Sequence, residues 1–396
     1  MEHFADKNGK LAIKRNRKAA PGGLLQAHRR TKQNETIPTF EGLFHTVPAS
    51  YFFLHILFFV LLTVIAFFVA RFFLHKAIAI DEPNMRSSHS RTTPRSGGFA
   101  FVATFFVGIL IIYFFGDRTH IEQSYMISFI VSALSIVLIS FLDDVRRKST
   151  LLKFSVMTLA ICNLMWGGVV LNELHLPFFN AVQLGWLAYP LTFFWILGLT
   201  NAVNFMDGLD GLIGGTAAIA SLFFMIITYS QGSTFVYITS YTILAGSIGF
   251  LLLNFPPAKI FMGDVGSVFL GFVFASLAII AALYDKSHTS FLVMPMLLFN
   301  VIFDTFFTFI RRCLRRENVF RPHRSHLYQL LQRSGYSHLE VSLLHYCFCF
   351  LQGLGALWLV YIHGNTRLYV FFPFLLLQIA YATLVMRMAN RNGLLQ

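Results

Sequence analysis

Charge is what this sequence has least of. Only 12% of its 396 residues are Asp, Glu, Lys or Arg, against 56% hydrophobic residues and 46 Phe, and the mean hydropathy is +0.64. A water-soluble domain of this length needs more polar surface to cover its core. The composition therefore excludes one and predicts an all-α polytopic integral membrane protein. Cysteine is also scarce. Cys162, Cys313, Cys347 and Cys349 lie in or beside apolar runs at no zinc-like spacing, which argues against a disulfide framework and a thiolate metal centre. There is no repeat of the roughly 20–50-residue period that marks solenoids. The basic N-terminal region is too long for a secretory leader, and no small-residue cleavage site follows the first apolar run.

What the sequence does have is eleven apolar runs, near 49–70, 97–115, 126–142, 151–171, 184–200, 211–229, 234–253, 265–284, 290–310, 341–362 and 368–386. Each approaches the roughly 17–25 residues that cross a bilayer. The run at 184–200 is short and carries Pro190. Residues 1–48 hold nine Lys/Arg with little apolar periodicity, which reads as a disordered basic tail ahead of one polytopic domain at 49–396.

The cations decide orientation. Segments 71–96, 143–153, 201–210, 254–264, 311–340 and 387–396 hold 19 Lys/Arg, whereas the opposite loops hold three. The first set is therefore expected on the cytoplasmic side. That distribution also accounts for most of the net charge of +13 as a topology determinant, so no nucleic-acid partner is predicted. Lys32, the tail cation nearest the first run, stands at the limit where the rule acts, so the tail's side is left undecided.

The unusual polar clusters all fall in the cation-rich segments, which predicts one active site on that face. In "SFLDDVRRKST" (140–150), Asp143 and Asp144 end an apolar run, where the helix dipole disfavours negative charge by up to about 1 kcal/mol. Taken alone, they would be half of a surface salt-bridge cluster with Arg146, Arg147 and Lys148. In "NAVNFMDGLDG" (201–211), Asn201, Asn204, Asp207 and Asp210 recur every three residues, which predicts one face of a helical turn, with Gly208 and Gly211 marking a helix boundary. Amides and carboxylates without thiolates suit a hard cation or a sugar nucleotide.

In "FMGDVGS" (261–267), Asp264 precedes an apolar run, so it is expected to cap or open a helix. Gly263 and Gly266 would let a ligand approach the backbone, beside Phe261, which offers a face for a base. "RPHRSHLYQ" (321–329) brings Arg321, His323, Arg324 and His326 together, a set suited to a diphosphate. Arg311, Arg312, Arg315 and Arg316 read as contacts to anionic headgroups. Asp81, Asn84, Arg86, Ser88 and His89 in the loop entering the second run are candidates for a phosphate site. Asp304, about two turns inside the ninth run, is expected to orient the arginine-rich loop.

Together these motifs resemble the polyprenyl-phosphate N-acetylhexosamine-1-phosphate transferases. The resemblance rests on Asp81…Arg86…His89…Gly97-Gly98, Asp143-Asp144 with Lys153, Asn201-x-x-Asn204-x-x-Asp207-Gly208-x-x-Gly211, Phe261-Met262-Gly263-Asp264-x-Gly266-Ser267, and the His323 loop, in that order from about 50 to 386. It implies transfer of a sugar-1-phosphate from a UDP-sugar to undecaprenyl phosphate, releasing UMP. It also implies Mg²⁺ as cofactor (Mn²⁺ as a substitute), at a bacterial inner membrane with membrane lipids as neighbours and a homodimer as a candidate assembly. The positions carried over are Asp264 with Asn204 for the metal, Phe261 stacking on uracil, Asp210 holding the base, and the 321–326 loop at the diphosphate.

Asp143, Asp144, Asp264 and His323 are then the catalytic candidates. Asp143 acts as base or orienter for the acceptor phosphate, with Asp144 supporting the metal or the phosphate-binding lysines. Asp81, Arg86, His89, Lys153, Asn201, Asp207, Asp210, Phe261, Gly263, Arg324 and His326 bind substrate. Direct attack and a route through an aspartyl intermediate both fit the sequence. One departure is visible: the pentapeptide translocase of the same group carries consecutive histidines where this chain has His323-Arg324-Ser325-His326. That favours a donor with a plain amino sugar, with the translocase as the alternative. A secondary transporter is the rival from another class, but its ionisable groups belong near the bilayer midplane.

Overall fold

Backbone groups in hydrocarbon have no water to bond, so apolar runs of this length are forced into helices. The computed structural model describes residues 49–82, 92–115, 123–146, 150–175, 181–285, 287–319, 321, 323–362 and 364–395. The 1–48 tail and the candidates Arg86 and His89 lie outside the described residues. The helices are α1 (Ala49–Lys76), α2 (Phe99–Phe115), α3 (Gln123–Arg146), α4 (Thr150–Trp166), α5 (Ala188–Met206), α6 (Leu212–Ser230) and α7 (Phe235–Asn254). They continue with α8 (Gly263–Ile279), α9 (Val293–Leu297), α10 (Phe299–Leu314), α11 (Leu327–Arg333), α12 (His338–Tyr361) and α13 (Phe371–Arg391). Two small antiparallel ribbons, β1 (Ile80–Asp81) with β2 (Thr93–Pro94) and β3 (Glu173–His175) with β4 (Ala181–Gln183), are the described strands.

Every apolar run contains helix. Among the described residues, eight helices are long and apolar enough to cross a membrane, and α2 and α4 carry the shorter apolar stretches Phe99–Ile111 and Leu151–Trp166. The chain is an all-α polytopic membrane protein. Pro190 sits in the first turn of α5, where no intrahelical donor is required of it. The run at 290–310 departs from expectation: it is two helices, broken at Leu298 (φ −110°, ψ 23°), with Pro295 removing a backbone donor just before the break.

The helix α8 is the centre of the fold. Its apolar window is 94% buried by protein, whereas that of α1 is 17% buried, leaving most of α1 for lipid. Around α8 pack α2, α3 and α5. The approach to α2 is backbone to backbone, since a Cβ on Gly98 would lie 2.2 Å from the nitrogen of Gly266. The helix α10 shows the polarity of a membrane helix reversed relative to a soluble one. It buries Asn300, Asp304, Thr308 and Arg312 at four-residue spacing, while Phe306 and Phe309 are exposed.

Candidate active site

The packing around α8 brings polar helix ends together. The last turn of α3 carries Asp143 and Asp144, and the first turn of α4 carries Lys153. The end of α5 carries Asn204, with Asp207 as its C-cap, and the first turn of α8 carries Asp264.

Asp144 shows why two acids stand at a helix C-terminus. Its Oδ1 accepts the backbone N–H of Asp264 at 3.3 Å, and its Oδ2 accepts that of Val265 at 3.2 Å. The charge that α3 disfavours thus sits on the positive N-terminus of α8, where a carboxylate is stabilised. Asp264 opens α8 in its first turn, one of the two placements expected, and the carboxylate that caps the helix is Asp144. Arg95 completes the arrangement, with Nη2 2.9 Å from Asp144 Oδ1, and the Asp144 side chain is 0% exposed. Asp81, on β1, lies 3.8 Å from the same guanidinium. Burial alone would lower the Arg95 pKa, but Asp144, Asp264, Asp81 and Asp207 outweigh it and raise it. The ion pairs of the two acids are therefore with Arg95 and Lys153 rather than with Arg146, and Arg147 and Lys148 lie outside the described residues.

Asp143 is placed differently from its neighbour. Its side chain is 21% exposed, and its Oδ2 lies 3.7 Å from Lys153 Nζ. That ammonium also bonds Asp264 Oδ2. Asp264 Oδ1 accepts the amide of Asn204 at 3.0 Å, and the same amide reaches Ser267 Oγ at 2.9 Å. Asp207 has no hydrogen bond or ion pair to its carboxylate among the described residues. Burial, then the charge of Asp264, pushes its pKa well above the ordinary value, against the pull of Arg95, with Asp144 and Asp210 adding to the rise. Five carboxylates (Asp81, Asp143, Asp144, Asp207 and Asp264) thus share two cations, Arg95 and Lys153. A further cation placed among them would favour the ionised forms and lower the raised pKa of Asp207.

The helical face predicted for Asn201, Asn204, Asp207 and Asp210 does not form, because α5 ends at Met206 and Asp207 leaves it at φ −81°, ψ 60°. The four side chains diverge. Asn201 donates to the Leu197 carbonyl of its own helix at 2.7 Å, and Asn204 goes to Asp264. Asp210 turns away, with Oδ1 3.2 Å from His338 Nδ1 and Oδ2 accepting the Ala258 N–H at 3.0 Å.

The loop after α10 is anchored by a second buried carboxylate. Asp304 accepts from the Leu327 N–H at 2.9 Å and the Tyr328 N–H at 3.0 Å, and lies 3.1 Å from His326 Nδ1. It thereby fixes the start of α11, as its depth led us to expect. His326 is 5% exposed, with its ring against Asp304 and its backbone N–H donating to Gln329 Oε1 at 3.2 Å, so it orders the loop. His323 stacks on His326 at 5.0 Å and bonds Ser325 Oγ at 2.9 Å, and Arg324 faces the positive charge of Arg333. Burial, then His326, Arg312 and Arg311, lowers the His323 pKa to about 4. Arg311 donates to the Ser325 carbonyl, and Arg312 to Glu317 and to the carbonyls of Asn318 and Arg321. These two arginines build the loop, which corrects their assignment to lipid headgroups. Tyr328 then ties the loop to the end of α5, its hydroxyl donating to the Phe205 carbonyl at 2.8 Å.

The profile of glycosyl transferase family 4 matches residues 126–282. The chain is 36% identical over 282 residues to a probable undecaprenyl-phosphate N-acetylglucosaminyl 1-phosphate transferase of Bacillus subtilis, covering 70% of this chain and 76% of that one. The chain belongs to glycosyl transferase family 4, the polyprenyl-phosphate N-acetylhexosamine-1-phosphate transferases. It is 30% identical over 306 residues to the decaprenyl-phosphate N-acetylglucosaminephosphotransferase of Mycobacterium leprae, again covering 70% and 76%. It is also 34% identical over 217 residues to the phospho-N-acetylmuramoyl-pentapeptide-transferase of Listeria welshimeri, covering 52% of this chain and 66% of that one. As a family member it is a membrane-embedded sugar-phosphate transferase.

Three residues of this transferase's site were missed from sequence. Arg95 lies among loop cations that look alike, and only its place beside Gly97-Gly98 marks it. His338 and Tyr328 gave no signal of their own, being a histidine after Ser337 and an aromatic in a short amphipathic stretch. The glycines of the "FMGDVGS" motif also make room within the protein itself. Gly263 has φ +67°, and a Cβ there would stand 2.0 Å from the Arg95 carbonyl and 2.6 Å from Asp144 Oδ2. The close approach it permits is by the protein's own Arg95 and Asp144. Phe261 is half-buried, its N–H bonded to the Pro94 carbonyl at 2.8 Å.

Among the described residues no three of His, Cys, Asp and Glu are grouped as a metal cage. Mg²⁺ does not require one, since it takes about one or two carboxylates and fills the rest with water and substrate phosphate. Asp264 and the unpartnered Asp207 are hard oxygen donors in a cluster with excess negative charge, which fits that ion.

Proposed function

We propose that this enzyme transfers N-acetylglucosamine-1-phosphate from UDP-N-acetylglucosamine to undecaprenyl phosphate, the initiating step of a cell-surface glycan. An oxygen of the acceptor phosphate attacks the β-phosphorus of the donor. The bond from that phosphorus to the bridging oxygen breaks, and UMP leaves with the electron pair. The reaction demands charge neutralisation and positioning more than covalent chemistry. The observation that carries this reading is Lys153 held between Asp143 and Asp264 at the meeting point of four helix ends.

Within it, Asp143 orients the acceptor phosphate and takes its proton where one is present. It is the more accessible of the paired acids, whereas Asp144 is spent on capping α8 and on Arg95. Lys153 neutralises phosphate charge as the acceptor approaches. Asp264, with Asp207 and the carbonyl oxygen of Asn204, would hold Mg²⁺ or Mn²⁺, which when bound withdraws charge from the diphosphate. Phe261 stacks on the uracil, the Asp210 turn forms the rim beside it, and His323 with Arg324 lies toward the diphosphate. Asp81 keeps Arg95 in place. The site is read as facing the cytoplasm at a bacterial inner membrane, and the cation asymmetry of the loops supports the cytoplasmic side.

The loop speaks against a pentapeptide-bearing donor, because His326 is committed to Asp304 and no run of free histidines remains. The test is to incubate the purified enzyme and undecaprenyl phosphate with a panel of UDP-sugars. Release of UMP with UDP-N-acetylglucosamine, but not with UDP-N-acetylmuramoyl-pentapeptide, is the expected pattern, and the reverse pattern overturns it.

A further inference from the structure

His338, Ser342 and Tyr346 recur every four residues along α12 and so lie on one helical face. All three reach the same two residues. His338 Nδ1 lies 3.2 Å from Asp210 Oδ1, Ser342 Oγ donates to the Asp210 carbonyl at 2.9 Å, and Tyr346 Oη donates to the Gly211 carbonyl at 2.6 Å. Two glycines make room for this stripe. Gly211 has φ +75°, and a Cβ on Gly215 would stand 2.1 Å from the Tyr346 ring.

The contact is passed on to a second loop. Asp210 Oδ2 accepts the Ala258 N–H, and Asn254 Oδ1 accepts the Gly211 N–H, both at 3.0 Å. Asn254 in turn donates to the Ile260 carbonyl at 2.8 Å, immediately before Phe261. The 207–211 turn and the 254–261 segment are thus one unit, and α12 holds it from a single side.

The members of the stripe differ in what they offer. Ser342 and Tyr346 bond backbone carbonyls, whereas His338 Nδ1 lies 3.4 Å from the Asp210 backbone nitrogen and is the member of the stripe that also reaches the Asp210 side chain. Its ring is 16% and the Asp210 side chain 14% exposed, at the rim rather than in the core. We propose that His338 is a positioning residue for the donor nucleotide. By holding the Asp210 carboxylate against Ala258, it sets the separation of the two loops that bracket the uridine. This rests on the reading that Asp210 and Phe261 face the uridine. It assigns part of the donor affinity to a side chain that touches neither the diphosphate nor the acceptor.

The experiment is steady-state kinetics of full-length His338→Ala, His338→Phe and His338→Asn with UDP-N-acetylglucosamine and undecaprenyl phosphate. Thermal midpoints in detergent are measured on the same samples. The first two variants should raise KM for the donor about tenfold, the loss of one hydrogen bond, with kcat and the acceptor KM changed less than about twofold. In His338→Phe the ring volume is kept, so a folding defect does not account for that split. In His338→Asn the amide nitrogen takes the place of Nδ1, and the donor KM should return to within about threefold of the parent. An unchanged donor KM in His338→Ala and His338→Phe, an equal rise in all three variants, or a fall in kcat in place of the KM effect overturns the proposal. Phe261→Ala is measured alongside to separate the two readings. If it leaves the donor KM unchanged, the uridine assignment itself fails. If it raises the donor KM while the His338 variants do not, only the role of His338 fails.

Discussion

Asp144 Oδ2 accepts the backbone N–H of Val265 at 3.2 Å, so an acid on the last turn of α3 is the N-terminal cap of α8. Its neighbour Asp143 instead meets Lys153. The pair therefore divides into one carboxylate that holds the central helix and one that faces Lys153, the one given the acceptor phosphate in the proposed reaction. Asp144→Ala should lower the thermal midpoint clearly, a loss of about 1–3 kcal/mol, because it removes the side-chain cap of α8 and leaves Arg95 with Asp81 at 3.8 Å as its remaining ion pair. Asp143→Ala should leave the midpoint near the parent while abolishing transfer. Thermal unfolding in detergent, run beside the UMP assay, checks both, and equal midpoints for the two variants would contradict the division of roles.

Gly263→Ala tests the close approach at the start of α8. Its positive φ and the 2.0 Å separation from the Arg95 carbonyl leave no room for a methyl group. Strain of about 1–3 kcal/mol from the backbone alone, plus the clash, should reduce the thermal midpoint and the folded yield. Gly168→Ala is the control, because φ is again positive (+101°) but nothing lies within 4 Å of the added carbon.

Tyr328→Phe removes the hydroxyl that bonds the Phe205 carbonyl at 2.8 Å and leaves the ring in place. The expected effect is a loss of about 1 kcal/mol of stability, as for one buried hydrogen bond. Because this contact joins the His323 loop to the end of α5, transfer should fall several-fold with the acceptor KM unchanged. Kinetics on both substrates decides it.

His323 provides the pH dependence. Its pKa in the folded protein is about 4, below the ordinary value of 6.5, because burial and the nearby positive charge of His326, Arg312 and Arg311 favour the neutral ring. The unfolded chain takes up that proton as pH falls through 6.5, and the folded chain resists it. The contribution of His323 to stability is therefore full above pH 6.5 and is lost as pH falls from 6.5 towards 4. Thermal midpoints of the parent and His323→Gln should run parallel above that window, with the parent falling more steeply inside it. Parallel curves throughout would refute this.

The helices were readable from the sequence because long apolar runs leave the backbone no other choice in lipid. The break at Leu298 was not, since Pro295 lies inside a run whose length and apolar character read as one continuous span. In the site, the clusters around Asp143, Asp207 and Asp264 stood out as acids in an acid-poor chain. Their partners did not. Whether Asp144 pairs with Arg146 two residues away or with Arg95 from another loop depends on helix packing, which local spacing does not encode. The same holds for Asp210, which shares a period with Asn204 yet is turned to His338 by the end of α5 at Met206.

The central claim is that the Asp143–Lys153–Asp264 cluster transfers a sugar-1-phosphate to a polyprenyl phosphate. Its most direct measurement is the release of UMP and the formation of lipid-linked product by purified enzyme given UDP-N-acetylglucosamine, undecaprenyl phosphate and Mg²⁺. The account predicts equimolar products from the parent and a loss of more than about a hundredfold in both Asp143→Asn and Asp264→Asn at unchanged thermal midpoints. Full transfer by both variants would contradict it.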